Sequence, residues 1–129
     1  MKKKILIIDD SNDIANAMAE IVGMQGYDAS VARSGADAMA TLKNARQDLI
    51  ILDLRLPDMD GLEVARHIRS NNETARLPIL VVSSYAHGRE PEIIAAGCSE
   101  VMDKSKFVAT YPDVLKFYLG DTPQFPTPH

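Results

Sequence analysis

Four aliphatic residues in a row, Ile5 to Ile8, stand between the basic start MKKK and the acidic pair Asp9 and Asp10. Continuous apolar runs bounded by turn residues recur along the chain between segments with helical spacing. Buried parallel strands alternating with covering helices have this appearance in sequence. Lys4 to Ile8 is the first predicted strand. Ser11 can cap a helix in which Ile14, Met18, Ile21 and Val22 share one face before Gly23 and Gly26 end it. Tyr27 to Ala32 reads as a second, more mixed strand. Ser34 and Asp37 have the capping-box spacing with Asp in place of Glu, ahead of a stripe of Ala38, Met39 and Leu42. Asp48 to Leu52 is the third strand. The loop DLRLPDMDG then leads to a third helix of about Leu62 to Arg69, and Pro78 to Ser83 is the fourth strand.

The stretch YAHGREPEIIAAGC is less regular, because Gly88 and Pro91 stand where a fourth helix begins. That helix is expected to be short, with Pro91 at its first position. Glu100 to Met102 is a brief fifth strand, and a closing helix is expected over Pro112 to Leu119, packed by Val114, Leu115 and Tyr118. The tail DTPQFPTPH, with three prolines in nine residues, is expected to be disordered. Residues 1–119 then form one domain and 120–129 a Pro-rich tail, with no internal repeat and no heptad register. Five strands alternating with five helices predict an α/β fold, a doubly wound parallel sheet. Right-handed crossovers in such a sheet put ligands at the carboxyl ends of the strands.

Composition narrows the class of function. At 129 residues, a chain of this kind buries roughly two-thirds of the surface its unfolded form exposes. A lone cysteine, Cys98, gives no internal disulfide framework and reads as a small buried apolar residue. The run Ile5 to Ile8 is too short for a signal peptide, and no stretch approaches a membrane span, so a cytoplasmic protein without membrane partners is expected. Fourteen basic against 18 acidic side chains, a net charge of −4, argue against nucleic acid as the main partner.

The strand ends carry the chemistry. Asp9 and Asp10 follow the first strand, Asp53 the third, Ser83 and Ser84 the fourth, and Lys104 the fifth. In a parallel sheet these ends share one edge, so three carboxylates, one or two hydroxyls and an ammonium converge. Crowded carboxylates raise at least one pKa unless a cation neutralises them. Hard oxygen ligands with room for water suit Mg²⁺, which typically pairs one or two carboxylates with a phosphate. Asp53 ends the most apolar strand and precedes a turn-rich loop, so its carboxylate is expected to face solvent and act as nucleophile, forming an acyl phosphate while Asp9 and Asp10 hold the metal. Phosphoryl transfer is mainly positioning and charge neutralisation. Lys104 supplies charge and Ser83 a hydrogen bond.

With these residues in place, the sequence resembles the receiver domain of two-component response regulators over about residues 3 to 119. KILIIDDSND is similar to the family's first strand and acidic pair, LIILDLRLPDMDGLEV to its phosphoacceptor strand and loop, ILVVSS to its switch-hydroxyl strand and AGCSEVMDKS to its lysine strand. The resemblance implies a flavodoxin-like sheet of strand order 2-1-3-4-5. It implies phosphorylation of Asp53 by a histidine kinase or histidine phosphotransfer protein. It further implies that Asp9, Asp10, Asp53 and the backbone carbonyl of Arg55 serve Mg²⁺, and that Ser83, with Ser84 beside it, and Lys104 contact the phosphoryl group. The chain departs from the pattern at Val101, where many members carry an aromatic switch residue, and at Ser105, where a proline commonly follows the lysine. Arg55 and Tyr85, two residues after Asp53 and Ser83, flank the path of water to the phosphoryl group and are expected to slow dephosphorylation.

The expected function is a phosphoacceptor switch with output through an unknown downstream protein, as a monomer or weak dimer. One alternative is the receiver portion of a longer regulator with a DNA-binding or enzymatic output domain. Another is a small Mg²⁺-dependent phosphohydrolase with an aspartyl-phosphate intermediate. Hydrolases of the haloacid dehalogenase type place a second Asp two residues after the nucleophile as general acid. Arg55 stands there and cannot serve as a proton donor at neutral pH.

Overall fold

The apolar runs become the five strands of one all-parallel sheet. A computed structural model describes residues 2–120, with elements in the order β1 (Lys4–Ile8), α1 (Asn12–Met24), β2 (Asp28–Ala32), α2 (Gly35–Asn44), β3 (Leu49–Leu52), α3 (Gly61–Ser70), β4 (Ile79–Val82), α4 (Glu90–Ala95), β5 (Glu100–Met102) and α5 (Lys104–Leu119). The strand order is β2-β1-β3-β4-β5, as expected for the doubly wound fold. The 120–129 tail, Gly120 apart, lies outside the described residues.

Both faces of the sheet are covered, which is why the central strands are apolar at every position rather than at alternate ones. Successive side chains point to opposite faces. Leu6, Ile8, Ile50, Leu52, Ile79 and Val81 pack into one core with residues of α2, α3 and α4. Ile5, Ile7, Leu49, Ile51, Leu80 and Val82 pack into a second with α1 and α5. The edges are different: β2, DASVA, buries only Ala32, and β5 only Met102.

The caps read from sequence are present. Ile14 N–H donates to the Ser11 hydroxyl, and Asp37 N–H to that of Ser34. Several ends shift by a residue, α1 running through Gly23 to Met24, and the starts of the last two helices differ for identifiable reasons. Helix α4 starts at Glu90, so Pro91 occupies its second position. Helix α5 starts at Lys104, eight residues before Pro112, because Asp103 caps it by accepting from Lys106 N–H. An interior proline costs about 3 kcal/mol. Phe107, Leu115 and Leu119, which are buried on either side of it, contribute roughly 1.5–3 kcal/mol each, so packing outweighs the break. Among the described residues no helix is long and apolar enough to cross a membrane.

Candidate functional site

Register places the site residues before any side chain is considered. Ile8 pairs with Leu52 and Leu52 with Val81, so the residues that follow these strands come together at one sheet edge. The ladder continues one residue past the strands: Asp9 N–H donates to Ala32 O, Asp53 N–H to Ile8 O and Ser83 N–H to Met102 O. Three functional side chains therefore stand on backbone as fixed as the sheet itself.

Asp53 is at the centre, and it does not face solvent as expected. It is 4% exposed, enclosed by its partners. The Ser83 hydroxyl donates to its Oδ1 at 2.6 Å. Lys104, at the first position of α5, places Nζ 3.4 Å from Asp53 Oδ2 and 3.3 Å from Asp9 Oδ2. Sequence reasoning took the residue after a buried strand to be free, whereas the neighbouring strands end at the same level and wall it in. Ser83 also accepts from Tyr85 N–H at 3.1 Å and Leu54 N–H at 3.4 Å. Ser84 is exposed and makes no hydrogen bond to Asp53, and Val101 is half-buried against the α2–α4 core.

The electrostatics follow from the crowding. Burial pushes the Asp9 carboxyl up, and the nearby Asp53 adds to the rise, against the pull of the Ser11 N–H and of Lys104. Burial alone lowers the Lys104 ammonium, but Asp53 and Asp9 outweigh it and hold its pKa above the ordinary lysine value. Lys104 is therefore a fixed positive charge between two buried carboxylates. Carboxylate oxygens of Asp9, Asp10 and Asp53 lie within 4.8 Å of one another, with Asp10 exposed at the rim. An all-oxygen donor set open to water on one side fits a hard divalent cation.

The loop after Asp53 is tied to three helices. The Asp58 carboxylate accepts from Gly35 N–H at 2.8 Å and Ala36 N–H at 2.9 Å, capping α2. Asp60 caps α3 by accepting from Leu62 N–H, and the Arg89 guanidinium grips it at 2.7 and 3.4 Å. Burial tends to raise the Asp60 carboxyl, but Arg89 and the Leu62 N–H hold it low. Arg55 and Tyr85 meet one another, the guanidinium 4.9 Å from the ring centroid. Asp58, Asp60 and Arg89 were not singled out in the sequence. Asp60 had a legible signal, an acid immediately before a glycine and a helical stripe. Asp58 and Arg89 had none, because their partners lie 22 to 29 positions away.

Comparison with known proteins agrees with this geometry. Residues 5–107 match the family model of the response regulator receiver domain. The polar-differentiation response regulators DivK of Brucella anthropi and Brucella ovis are each 30% identical over 122 residues, covering 94% of this chain and 99% of theirs. The Vibrio cholerae chemotaxis protein CheY4 superposes with a TM-score of 0.85 at 28% identity, over 92% of this chain and all of that one. A receiver domain of a Pseudomonas aeruginosa sensor histidine kinase, crystallised with a magnesium ion coordinated in its active site cleft, gives 0.84 at 25% identity, over 93% and 99% of the two chains.

Proposed function

Because the chain belongs to the response regulator receiver domain family, and so to the phosphoacceptors of two-component signalling rather than to classical enzymes, we propose that Asp53 is the residue that takes the phosphoryl group. The observation that carries this reading is the convergence on one buried carboxylate of a hydroxyl at 2.6 Å and an ammonium at 3.4 Å. A histidine kinase or histidine phosphotransfer protein is the donor. The N–P bond of its phosphohistidine breaks as the P–O bond to Asp53 forms, and the imidazole departs neutral with a proton on its other nitrogen.

Each residue has a task that follows from its placement. The ladder bond from Asp53 N–H to Ile8 O, with Ser83 and Lys104 on its two oxygens, fixes the nucleophile and limits the reorganisation needed at the moment of transfer. Lys104 balances negative charge that phosphorylation adds. Ser83 exchanges its bond to Asp53 Oδ1 for one to a phosphoryl oxygen. Asp9, Asp10, Asp53 and the Arg55 backbone carbonyl would hold Mg²⁺, which when bound neutralises phosphoryl oxygens. Arg55, engaged with Tyr85, stands where a hydrolase of the dehalogenase type needs an acid, which disfavours turnover of phosphate esters. Output runs through contact with a downstream protein in the cytoplasm.

The reading is tested by incubating the protein with Mg²⁺ and acetyl phosphate. One added phosphoryl group by mass, labile to base and lost in Asp53→Ala, is expected. Labelling that persists in Asp53→Ala overturns the assignment.

A further inference from the structure

The contacts around Asp53 close into a circuit. On one side, Ser83 Oγ bonds Asp53 Oδ1 and accepts from Tyr85 N–H, and the following turn closes when Arg89 N–H donates to Ala86 O at 2.9 Å. On the other side, Arg55 bridges Asp60 through the backbone, and Gly61 N–H donates to Leu54 O at 2.7 Å. Beside the Arg55–Tyr85 contact and the bond from Leu54 N–H to Ser83 Oγ, the Arg89–Asp60 side-chain pair joins the two halves at the start of α4, with Nη2 to Oδ2 at 2.7 Å and Nη1 to Oδ1 at 3.4 Å. Arg89 is also the residue from which α4 grows: Ile93 N–H donates to its carbonyl, and its Nε bonds Glu92.

Helix α4 has little else to hold it. It has six residues, no side-chain cap, and Ile93 as its single buried residue, while Ile94 is 70% exposed. Segments with so few buried contacts lie at the low-stability end of a fold and respond first to a local change. Val101 has no ring to swing. We propose that the Arg89–Asp60 pair is the link through which a change at Asp53 and Ser83 reaches α4, so that the position of α4 reports phosphorylation without an aromatic at 101. The inference rests on the phosphoacceptor reading above. A shift of Ser83 toward a phosphoryl oxygen pulls on Tyr85 N–H, which its Oγ holds at 3.1 Å. The turn from Ala86 to Arg89 passes that displacement on, and the anchored Asp60 converts it into a pull on the first turn of α4.

A half-exposed ion pair contributes little to stability, so a merely structural role and a linking role are separable. The experiment measures amide hydrogen exchange in α4 for the full chain with Mg²⁺, before and after addition of beryllofluoride. Parent, Arg89→Gln, Asp60→Asn and the double variant are compared. Asn at 60 keeps a side-chain cap on α3 while removing the charge. Acetyl phosphate labelling of each variant is measured in parallel. Exchange in α4 is expected to change at least threefold in the parent. Each single variant is expected to label within twofold of the parent but to lose most of that change, and the double variant to be no worse than either single one, as for residues acting as one unit. An α4 response that persists in both single variants overturns the link and leaves Asp53 as phosphoacceptor. So does a labelled parent whose α4 exchange does not change. A parent that takes no phosphoryl group overturns the phosphoacceptor reading and the link with it.

Discussion

The guanidinium of Arg55 lies over the ring of Tyr85, 4.9 Å from its centroid, so the loop after Asp53 and the loop after Ser83 touch side chain to side chain. A cation–π contact at an exposed site is worth about 0.5–1 kcal/mol, and we propose that these two bulky groups slow the approach of water to a phosphoryl group on Asp53. Arg55→Ala and Tyr85→Ala are each expected to shorten the lifetime of the phosphorylated protein on the order of two- to fivefold. Loss of the phosphoryl mass with time after removal of the donor measures this. Unchanged lifetimes in both variants remove the shielding role.

Asp58 reaches across 22 positions to cap α2 with two backbone bonds. Those bonds hold its carboxyl below the ordinary carboxylate value. A depressed folded pKa contributes stability that is fully present above the unfolded pKa and is lost as pH falls through the folded one. Asp58→Ala is therefore expected to lower the midpoint of urea unfolding at pH 7. The gap between parent and variant should narrow as pH drops below about 4. A gap that stays constant down to pH 3 contradicts the cap as a charged one.

Gly61 packs against the backbone of Asp53. A methyl group there overlaps the Asp53 carbonyl oxygen and comes within 2.8 Å of Leu54 Cα, neither of which can yield. Gly61→Ala is expected to cost about 1–3 kcal/mol in stability and to reduce acetyl phosphate labelling by displacing Asp53. The same change at Gly35 meets only the Met59 side chain, which is flexible, and should be far milder. Denaturant unfolding of the two variants side by side checks the contrast.

Burial pushes the Cys98 thiol up to about 11, against the opposing pull of Arg69 and Arg66. A rise from 9.0 to about 11 means roughly a hundredfold less thiolate at a given pH. Alkylation by iodoacetamide at pH 8 is expected to be about two orders of magnitude slower than for the same protein unfolded in urea. Equal rates in the two states are incompatible with this environment.

The strands and their common edge were legible because burial on both faces leaves no polar position in runs such as Ile5 to Ile8 and Leu49 to Leu52. The convergence of Asp9, Asp53, Ser83 and Lys104 followed from their places after parallel strands whose carboxyl ends share one edge. Helix α5 was read eight residues short because a proline is a local signal and the burial of Phe107 is not. Asp53 was expected in solvent because a sequence gives the element a residue follows, not the walls around it. The ties made by Asp58 and Arg89 were invisible for the same reason, since each depends on a partner brought near only by the fold.

The sheet ends in two strands that make poor templates. Strand β2 turns Asp28 and Ser30 outward, and β5 is three residues long, with Glu100 taken by the Tyr118 hydroxyl at 2.6 Å. An unpaired strand edge invites another chain to add to it unless charge or brevity discourages the addition. A protein whose core strands are this apolar would otherwise carry an aggregation hazard at each rim. Both rims are blunted, so neither edge invites pairing with a strand of another copy.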